Sequence, residues 1–346
     1  MNTTDTCEQT SATGSITVNP NATLSLTSGN NNQTVCAAGG VGDAIIDPIT
    51  YEIGETGTGV TVANLPTGIT DSYANGILTI SGSSSVSGKH NLTVTDIGTC
   101  GNSSTLNGSI TINENLVPSV LISSSDADNE ICAGTEVTFT ATPTNGGSSP
   151  SYQWQIDGNP VGTNSSTFKT TALTDGQKVT VEMSSSETCL TTATSTSAPI
   201  TTTVNPNLTP EVSIVASDSD ICPNDSVTFT ATPVDGGATP TYQWKIGNTN
   251  VGTNSPTFTT STLTDGQMVS VIMTSSETCL SSATATSNSI ETNVNPDLIP
   301  SVTISSNDNN NIICSTSSIT FSATPVNGGG TPSYQWKVGT SNVGDN

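Results

Sequence analysis

The sequence predicts an all-β protein made of tandem antiparallel β-sandwich modules in an extended string. Three observations support this prediction: a repeat of 90 residues, short segments of alternating apolar residues between turns, and no segment with the apolar period of a helix. The repeat is marked by one tryptophan between two cysteines. Its copies are Cys132, Trp154 and Cys189, then Cys222, Trp244 and Cys279, then a third that begins with Cys314 and Trp336. A period of this length corresponds to one small domain, not to one turn of a solenoid.

Residues 114–205 illustrate the elements of one module. Apolar residues alternate with polar residues in several short segments, as in strands that bury one face. The predicted strands cover 119–125, 137–142, 152–156, 166–173, 178–183 and 193–204. Gly, Pro, Asn and Asp fill the segments between them and predict turns, among them 126–130 and 157–164. Strands of this number and spacing predict an antiparallel sandwich.

The repeat also divides the chain. We predict the tail of a preceding module in 1–18, complete modules in 19–113, 114–205 and 206–297, and a truncated module in 298–346. The tail is assigned because the segment CEQTSATGSITVNP, from Cys7, matches CGNSSTLNGSITINEN, from Cys100. The linkers VNPNLTP and VNPDLIP each contain two prolines and no glycine, so we expect short, semi-rigid joints.

Composition and charge exclude several functions. The formal net charge is −23, with five lysines, no arginine and one histidine. Such a surface cannot neutralise phosphates, which argues against nucleic-acid binding and against docking on anionic lipid. No run approaches the ~18 apolar residues of a membrane-spanning helix, so we expect no membrane insertion in this segment. The acidity favours solubility and repulsion between modules, with divalent-cation binding as the alternative.

Six cysteines fall into pairs, two in each complete module. The expected disulfides are Cys36–Cys100, Cys132–Cys189 and Cys222–Cys279, while Cys7 and Cys314 lack partners in the incomplete modules. Disulfides within small modules are typical of an oxidising, extracellular compartment. A bridge that closes about 57 residues would stabilise a module by roughly 4 kcal/mol in the chain-entropy model.

Two sets of motifs resemble known repeats. Module 114–205 contains ICAGTEVTFTATP, YQWQIDG and LTDGQKVTVEMSSSETCL, which resemble the PKD-like and immunoglobulin-like repeats of large secreted surface proteins from Bacteroidetes-type bacteria. Module 19–113 contains LPTGIT, GILTISG and SGKHNLTVTD, which resemble the cadherin-like repeats of immunoglobulin type that accompany them. The resemblance implies an extracellular or cell-surface protein of adhesin type, whose modules serve as adhesins, filaments or spacers.

The resemblance leaves the disulfide pairing open. In a plain immunoglobulin topology, Cys132 precedes the second strand and Cys189 lies in the turn between the last two strands, at the opposite pole of the sandwich. Either the first strand doubles back near 126–130, or the pairs are not those that cysteine counting suggests.

The turn after the first strand is the best candidate for a site. Its acidic residues are Asp126, Asp128 and Glu130 in the second module, Asp218 and Asp220 in the third, and Asp308 in the last. Hard oxygen ligands at alternate positions suit Ca²⁺, and calcium near a junction would stiffen the string. The alternative is a solvated turn, in which Asp is favoured because its side chain hydrogen-bonds the backbone. We expect no other cofactor.

Aromatic residues at the alternating inward positions are expected in the core. They are Trp154, Trp244, Phe139, Phe168, Phe229 and Phe258. The alternative for the tryptophans is an exposed platform that stacks on a sugar ring. The only histidine, His90, lies in a predicted turn, and no nucleophile–base arrangement surrounds it in the sequence. We therefore expect no enzyme activity.

The sequence thus predicts a non-catalytic stalk or spacer segment of a secreted or cell-surface, adhesin-like protein. Its expected partners are neighbouring modules of the same polypeptide, and surface glycans or other cells. The alternative is a set of carbohydrate-binding accessory modules of a larger extracellular protein or enzyme. Burial of the tryptophans distinguishes the two, because a sugar-binding platform needs exposed indoles.

Overall fold

The computed structural model describes residues 13–54, 56–99, 101–310 and 312–344. These residues form strands, turns and irregular segments, with no helix among them. The chain divides into two compact units, Met1–Asn205 and Pro206–Asn346. This division coincides with the predicted module boundary at 205/206. Residues 1–12 of the predicted tail lie outside the described residues.

The first module of unit 1 consists of two four-stranded sheets. Its strands are β1 (Thr23–Ser28), β2 (Asn32–Cys36), β3 (Ile45–Gly54), β4 (Gly57–Ala63), β5 (Ile69–Ala74), β6 (Ile77–Ser83), β7 (Gly88–Gly98) and β8 (Thr105–Asn113). One sheet has the order β1-β3-β6-β5 and the other β2-β8-β7-β4. Neighbours are antiparallel except β2 and β8, which are parallel. Tyr51, Leu78, Ile80, Val94 and Ile110 are fully buried between the sheets.

The second module of unit 1 has ten shorter strands. They are β9 (Ser119–Ser124), β10 (Glu130–Cys132), β11 (Val137–Thr144), β12 (Ser151–Ile156), β13 (Asn159–Val161), β14 (Thr167–Thr170), β15 (Lys178–Ser184), β16 (Thr194–Thr196), β17 (Ile200–Thr201) and β18 (Thr203–Asn205). One sheet has the order β14-β11-β9, and the other has the order β13-β12-β15-β16, with β17 also paired to β15. A short parallel ladder joins β10 to β18.

The third module opens unit 2 and repeats this arrangement. Its strands are β19 (Glu211–Ala216), β20 (Asp220–Ile221), β21 (Val227–Val234), β22 (Thr241–Ile246), β23 (Thr249–Val251), β24 (Thr257–Thr260), β25 (Gln267–Thr274), β26 (Thr284–Thr286) and β27 (Ile290–Val294). The sheets have the orders β19-β21-β24 and β20-β27-β25-β22-β23, with β26 paired to β25.

The fourth module, also in unit 2, contributes two antiparallel pairs of strands. Strand β28 (Ser301–Ser306) pairs with β29 (Phe321–Val326), and β30 (Trp336–Val338) pairs with β31 (Ser341–Val343).

Equivalent apolar residues form the cores of the second and third modules, each at most 1% exposed. They are Val137, Phe139, Trp154, Val179, Val181 and Met183 in the second module, and Val227, Phe229, Trp244, Val269, Val271 and Met273 in the third. Alternation along each strand places them on the face that meets the opposite sheet. The predicted all-β fold of tandem sandwich modules is confirmed.

The first strand of the second module changes sheets instead of doubling back. Strand β9 is antiparallel to β11 in one sheet. After a turn at 125–129, in which Asn129 has a φ of 59°, the chain continues as β10, parallel to β18. The third module does the same with β19 and β20. This crossing places the first cysteine of the module at the end of its closing strand.

Three local predictions were wrong. The closing segment 193–204 is not one strand but the three short strands β16, β17 and β18. Ser197 interrupts it, since its hydroxyl accepts a hydrogen bond from Val181 N at 3.1 Å, and Pro199 has no N–H to donate. The predicted turn 157–164 contains β13, and His90 lies inside β7.

Candidate functional site at the module junction

Trp154 and Trp244 are core residues, as predicted. Trp154 is 0% exposed, and its indole N–H donates to the carbonyl of Ser165 at 2.9 Å. Its ring centroid lies 5.8 Å from that of Phe168. Trp244 is equally buried and makes the matching bond to Ser255 at 2.9 Å. Neither indole presents a face to solvent, so neither can stack on a sugar.

The acidic turn of the second module hydrogen-bonds its own backbone. The carboxylates of Asp126 and Asp128 each accept a bond from the N–H of Glu130, both at 3.2 Å. Glu130 in turn accepts a bond from the side-chain amide of Asn205 at 2.8 Å. Because Asn205 ends β18, this bond holds β10 on the closing strand and positions Cys132, which follows two residues later.

The third module uses its acidic residues in the same way. Asp218 accepts a bond from the N–H of Asp220 at 3.0 Å. Asp220 accepts bonds from the side-chain amides of Asn293, at 2.9 Å, and Asn295. In the fourth module, Asp308 accepts one from the N–H of Ile312 at 2.9 Å.

These hydrogen bonds are the ones expected of a solvated turn, in which acidic side chains bind the backbone. Within the described ranges, no group of three or more His, Cys, Asp or Glu side chains is placed to hold a metal ion. Calcium binding at either turn, with Asp126, Asp128 and Glu130 or with Asp218 and Asp220 as ligands, stays untested.

A disulfide joins the first module to the second. Cys36, at the end of β2, is bonded to Cys189, with a Cα–Cα distance of 5.3 Å and a sequence separation of 153 residues. The predicted bridges Cys36–Cys100 and Cys132–Cys189 are therefore wrong. Cysteine counting failed because Cys132 and Cys189 lie at opposite poles of their sandwich, and Cys189 faces the end of the preceding module.

The remaining described cysteines differ in oxidation state. Cys222 and Cys314 are exposed free thiols, which overturns the predicted bridge Cys222–Cys279. Cys132 and Cys279 both take part in disulfides. Cys7 and Cys100 lie outside the described residues.

Backbone hydrogen bonds run through the same contact between the first two modules. Val41 and Leu190 form an antiparallel bridge, in which each N–H donates to the other residue's carbonyl, at 2.7 and 3.2 Å. Leu116, in the linker, donates its N–H to Cys189 O at 2.9 Å and accepts a bond from Thr191 N at 2.8 Å. We call this contact the stapled junction, formed by Cys36, Val41, Leu116, Cys189 and Leu190.

The surrounding loop fits closely against the stapled junction. The side-chain amide of Asn115 donates to the carbonyl of Ala37 at 2.8 Å. Gly42 has a φ of 129°, and a Cβ there would lie 2.8 Å from Cys36 Sγ and would collide with the carbonyl of Thr188. Glycine is therefore required at this position.

Sequence reasoning missed the stapled junction because its parts lie far apart in the chain. Two signals were present. The loop AAGGVGD after Cys36 is unusually rich in glycine, which is typical of close backbone approach. A leucine also recurs in the linkers, as Leu116, Leu208 and Leu298.

A cavity of about 630 Å³ in the fourth module is lined largely by apolar side chains, including Ile304, Phe321, Trp336 and Val338. Phe321 and Trp336 occupy the sequence positions of the buried Phe229 and Trp244 of the third module. The cavity therefore corresponds to the interior of this sandwich.

The fold and the junction define a protein of tandem antiparallel β-sandwich modules. Residues 118–206 match the family model described as Ig-like domain, CHU_C associated. The match confirms the immunoglobulin-like resemblance inferred from the motifs of module 114–205. The chain matches no curated protein sequence.

Several solved structures are similar to the chain. One comes from a 1.5-MDa bacterial ice-binding adhesin, at 15% identity and a TM-score of 0.48, covering 81% of this chain and 100% of that one. A second is the protocadherin gammaB7 EC3-6 cis-dimer, at 13% identity and a TM-score of 0.40, with 77% of each chain covered. A third is the ectodomain of mouse nectin-like molecule 4, at 13% identity and a TM-score of 0.30, with 77% and 98% covered.

The part of the chain that the structure describes contains no helix with the length and apolarity that crossing a bilayer requires.

Proposed function

We propose that this chain is a non-catalytic spacer segment of a secreted or cell-surface, adhesin-like protein. One observation carries the proposal: the stapled junction fixes the first module to the second by a covalent bond and by backbone hydrogen bonds on both sides of it. A flexible connection would need neither. A junction built in this way keeps the first two modules in a set relation, as a spacer requires.

The chemistry of the surface and the cysteines supports this proposal. A net charge of −23 opposes non-specific association with nucleic acid and anionic lipid. The disulfide favours an oxidising, extracellular location, because cytosolic reductants keep thiols reduced. The partners proposed for the segment are the neighbouring modules of its own polypeptide, and recognition of glycans or other cells would lie with other surfaces.

The carbohydrate-binding alternative loses its main candidate residues. Trp154 and Trp244 are 0% exposed, and a stacking platform requires an open aromatic face. A glycan array probed with the full chain tests what remains of the alternative. Specific, saturable binding of a soluble glycan would favour it over the spacer role.

Measurement of ¹⁵N relaxation by nuclear magnetic resonance, on the full oxidised chain, tests the spacer role directly. We expect ¹⁵N nuclei in β1–β8 and in β9–β18 to report one common rotational correlation time. The variant Cys189→Ser should let the two modules reorient more independently, whereas Cys222→Ser, which removes a free thiol, should change nothing. Independent tumbling of the two modules in the oxidised wild-type protein would contradict the proposal.

A further inference from the structure

A cavity of about 400 Å³ adjoins the disulfide of the stapled junction, within unit 1. Its lining includes both bonded cysteines, Thr34, Gly42, Asp43 and Thr188. Elsewhere the disulfide is covered, since Cys36 and Cys189 are each only 6% exposed. The rate at which a thiol exchanges with a disulfide depends on its access to one of the two sulfurs. The cavity supplies that access to a small molecule.

Glycine at position 42 leaves the sulfur of Cys36 uncovered where it meets the cavity. A Cβ added to Gly42 would lie 2.8 Å from Cys36 Sγ, so any side chain at this position would cover that sulfur. Because Gly42 is itself part of the cavity lining, the space that its missing side chain leaves belongs to the cavity. A nucleophile in the cavity can therefore approach Cys36 Sγ.

Thr188 contacts the two sulfurs with groups of opposite polarity. Its hydroxyl donates to Cys189 Sγ at 3.9 Å, whereas its carbonyl oxygen lies 3.4 Å from Cys36 Sγ. A hydrogen-bond donor stabilises a thiolate, and a carbonyl oxygen destabilises one because it carries partial negative charge. In an exchange reaction, the sulfur that better accommodates negative charge departs faster. The contacts of Thr188 therefore favour Cys189 as the leaving group and Cys36 as the sulfur that is attacked.

Acidic side chains outnumber basic ones around the cavity. Asp43 is part of the lining, and Glu114 and Glu187 are sequence neighbours of two other lining residues. One lysine lies near this end of the first module in register, because Lys89 is opposite Thr111 in the ladder of β7 with β8. The net charge of the chain, −23, has the sign of the acidic residues. The field at the cavity therefore favours neutral or positively charged thiols over anionic ones.

We propose that small thiols without negative charge enter this cavity and open the Cys36–Cys189 bond by attack on Cys36 Sγ. The incoming thiolate forms a mixed disulfide with Cys36, and the electron pair of the broken S–S bond leaves with Cys189, which takes a proton from water. A second small thiolate then attacks the sulfur of the first, and Cys36 leaves and is protonated in turn. In sum, two small thiols are oxidised to one small disulfide, and the protein disulfide is reduced to two thiols.

Opening of this bond changes the joint between the first two modules. They stay connected by the linker and by the backbone hydrogen bonds of Val41, Leu116 and Leu190. Such bonds contribute little net free energy, because water replaces them when they break. The stapled junction is thus a joint whose stiffness small thiols control, whether or not the segment serves as a spacer.

Trapping of the mixed disulfide tests which sulfur is attacked. The full oxidised chain is treated with excess cysteamine, quenched with acid at early times and cleaved after glutamate, which puts Cys36 and Cys189 on separate peptides. We expect the cysteamine adduct on Cys36 in severalfold excess over Cys189. In urea, where the cavity is lost, the two adducts should be equally abundant. Equal adducts in the native protein, or an excess on Cys189, would overturn the proposal.

Thr188→Val tests the leaving group, because it removes the hydroxyl and keeps the carbonyl and the side-chain volume. It should slow reduction of the native bond by cysteamine roughly threefold, as expected for the loss of one weak hydrogen bond to the departing sulfur. The matched control is Thr34→Val, at a residue that lines the same cavity and whose hydroxyl bonds neither sulfur within the described residues. It should leave the rate unchanged. Equal rates for the two variants would contradict departure of Cys189.

A charged pair of reagents tests the class of thiol. At equal thiolate concentration and low ionic strength, anionic mercaptoethanesulfonate should reduce the native bond more slowly than cysteamine. Asp43→Asn, which removes one charge from the lining, should narrow the difference, and so should added salt. A ratio of the two rates that neither the substitution nor salt changes would show that the thiols do not pass through this cavity.

Discussion

Gly42 shows at a single residue how closely the first two modules approach. Its φ is 129°, and a Cβ added to it would lie only 2.8 Å from Cys36 Sγ, so there is no room for a side chain. Gly39, in the same loop, also has a positive φ of 98°, yet a Cβ there would meet nothing within 4 Å. A side chain at position 39 would therefore add backbone strain alone, whereas a side chain at position 42 would add backbone strain and a steric clash.

Alanine at these two positions should have unequal effects. Gly39→Ala should cost about 1–2 kcal/mol, the strain of an L-residue at positive φ. Gly42→Ala should cost more, since it adds a collision with the Thr188 carbonyl, and should lower the yield of the Cys36–Cys189 bridge. Urea unfolding and non-reducing peptide mapping measure both effects. Equal losses for the two variants would show that the close approach is absent.

The Asp128 carboxylate makes the acidic turn sensitive to low pH. A hydrogen bond from the N–H of Glu130, and a second with the side chain of Asp126, hold the pKa of Asp128 below its usual value near 3.8. A carboxyl whose pKa is lower in the folded protein stabilises it above the unfolded pKa, and this contribution is lost as pH falls through the folded value.

Asp128→Asn should therefore flatten the acid response of the protein. Between pH 6 and pH 3, we expect the melting temperature of the wild type to fall further than that of the variant, because asparagine still accepts the backbone bond but does not titrate. Asp71→Asn, an exposed position on β5, serves as the control and should behave as the wild type does. A variant that loses as much melting temperature as the wild type would contradict this role for Asp128.

At the scale of elements, the sequence predicted the strands that hydropathy alone determines. The central strands β11, β12 and β15 alternate apolar and polar residues and were placed within two residues of their observed ends. The same alternation put Trp154 and Trp244 in the core. These elements could be predicted because burial of one face decides both their conformation and their register.

The elements that were missed depend on specific polar contacts. The closing strand is interrupted at Ser197 by a side-chain bond to Val181 N, and the first strand changes sheets at a turn held by Asp126 and Asp128. Hydropathy does not encode either event. The disulfide pairing was missed for a related reason: it is decided by which ends of successive sandwiches the linker brings together.

Removal of the bridge should destabilise unit 1 strongly. A bridge that closes a loop of 153 residues is worth about 5 kcal/mol in the chain-entropy model, so Cys189→Ser should lower the free energy of unfolding by up to that amount. Cys222→Ser removes a free thiol and should leave the free energy of unfolding unchanged. Denaturant unfolding of both variants under non-reducing conditions measures the difference. Equal stability of the two variants would show that the bridge does not form in solution.

At the scale of the whole molecule, the acidity raises the question of calcium. The acidic residues of the turns accept hydrogen bonds from their own backbone and from the closing strands. A ligand that binds only the folded state raises its stability in proportion to the logarithm of its concentration. The response of the melting temperature to calcium therefore reports on the sites directly.

We expect the melting temperature to be the same in a chelator and in millimolar calcium. Magnesium at equal ionic strength is the control, because added salt alone screens the repulsion among the acidic residues. A rise with calcium that magnesium does not reproduce, and that Asp128→Asn removes, would favour the calcium alternative for this turn.

The bond between Cys36 and Cys189 also changes what happens when the chain is pulled at its ends. Force entering at the first module crosses the disulfide directly, so the polypeptide between these residues carries none of it. Stretched out, that stretch of 153 residues would add roughly 500 Å of contour length. In the oxidised protein the disulfide shields this length from tension, so pulling at the ends cannot extend strands β3 to β15, which lie between the two cysteines. Reduction of one bond would release it, so the extensibility of this segment is set by the redox potential of its surroundings.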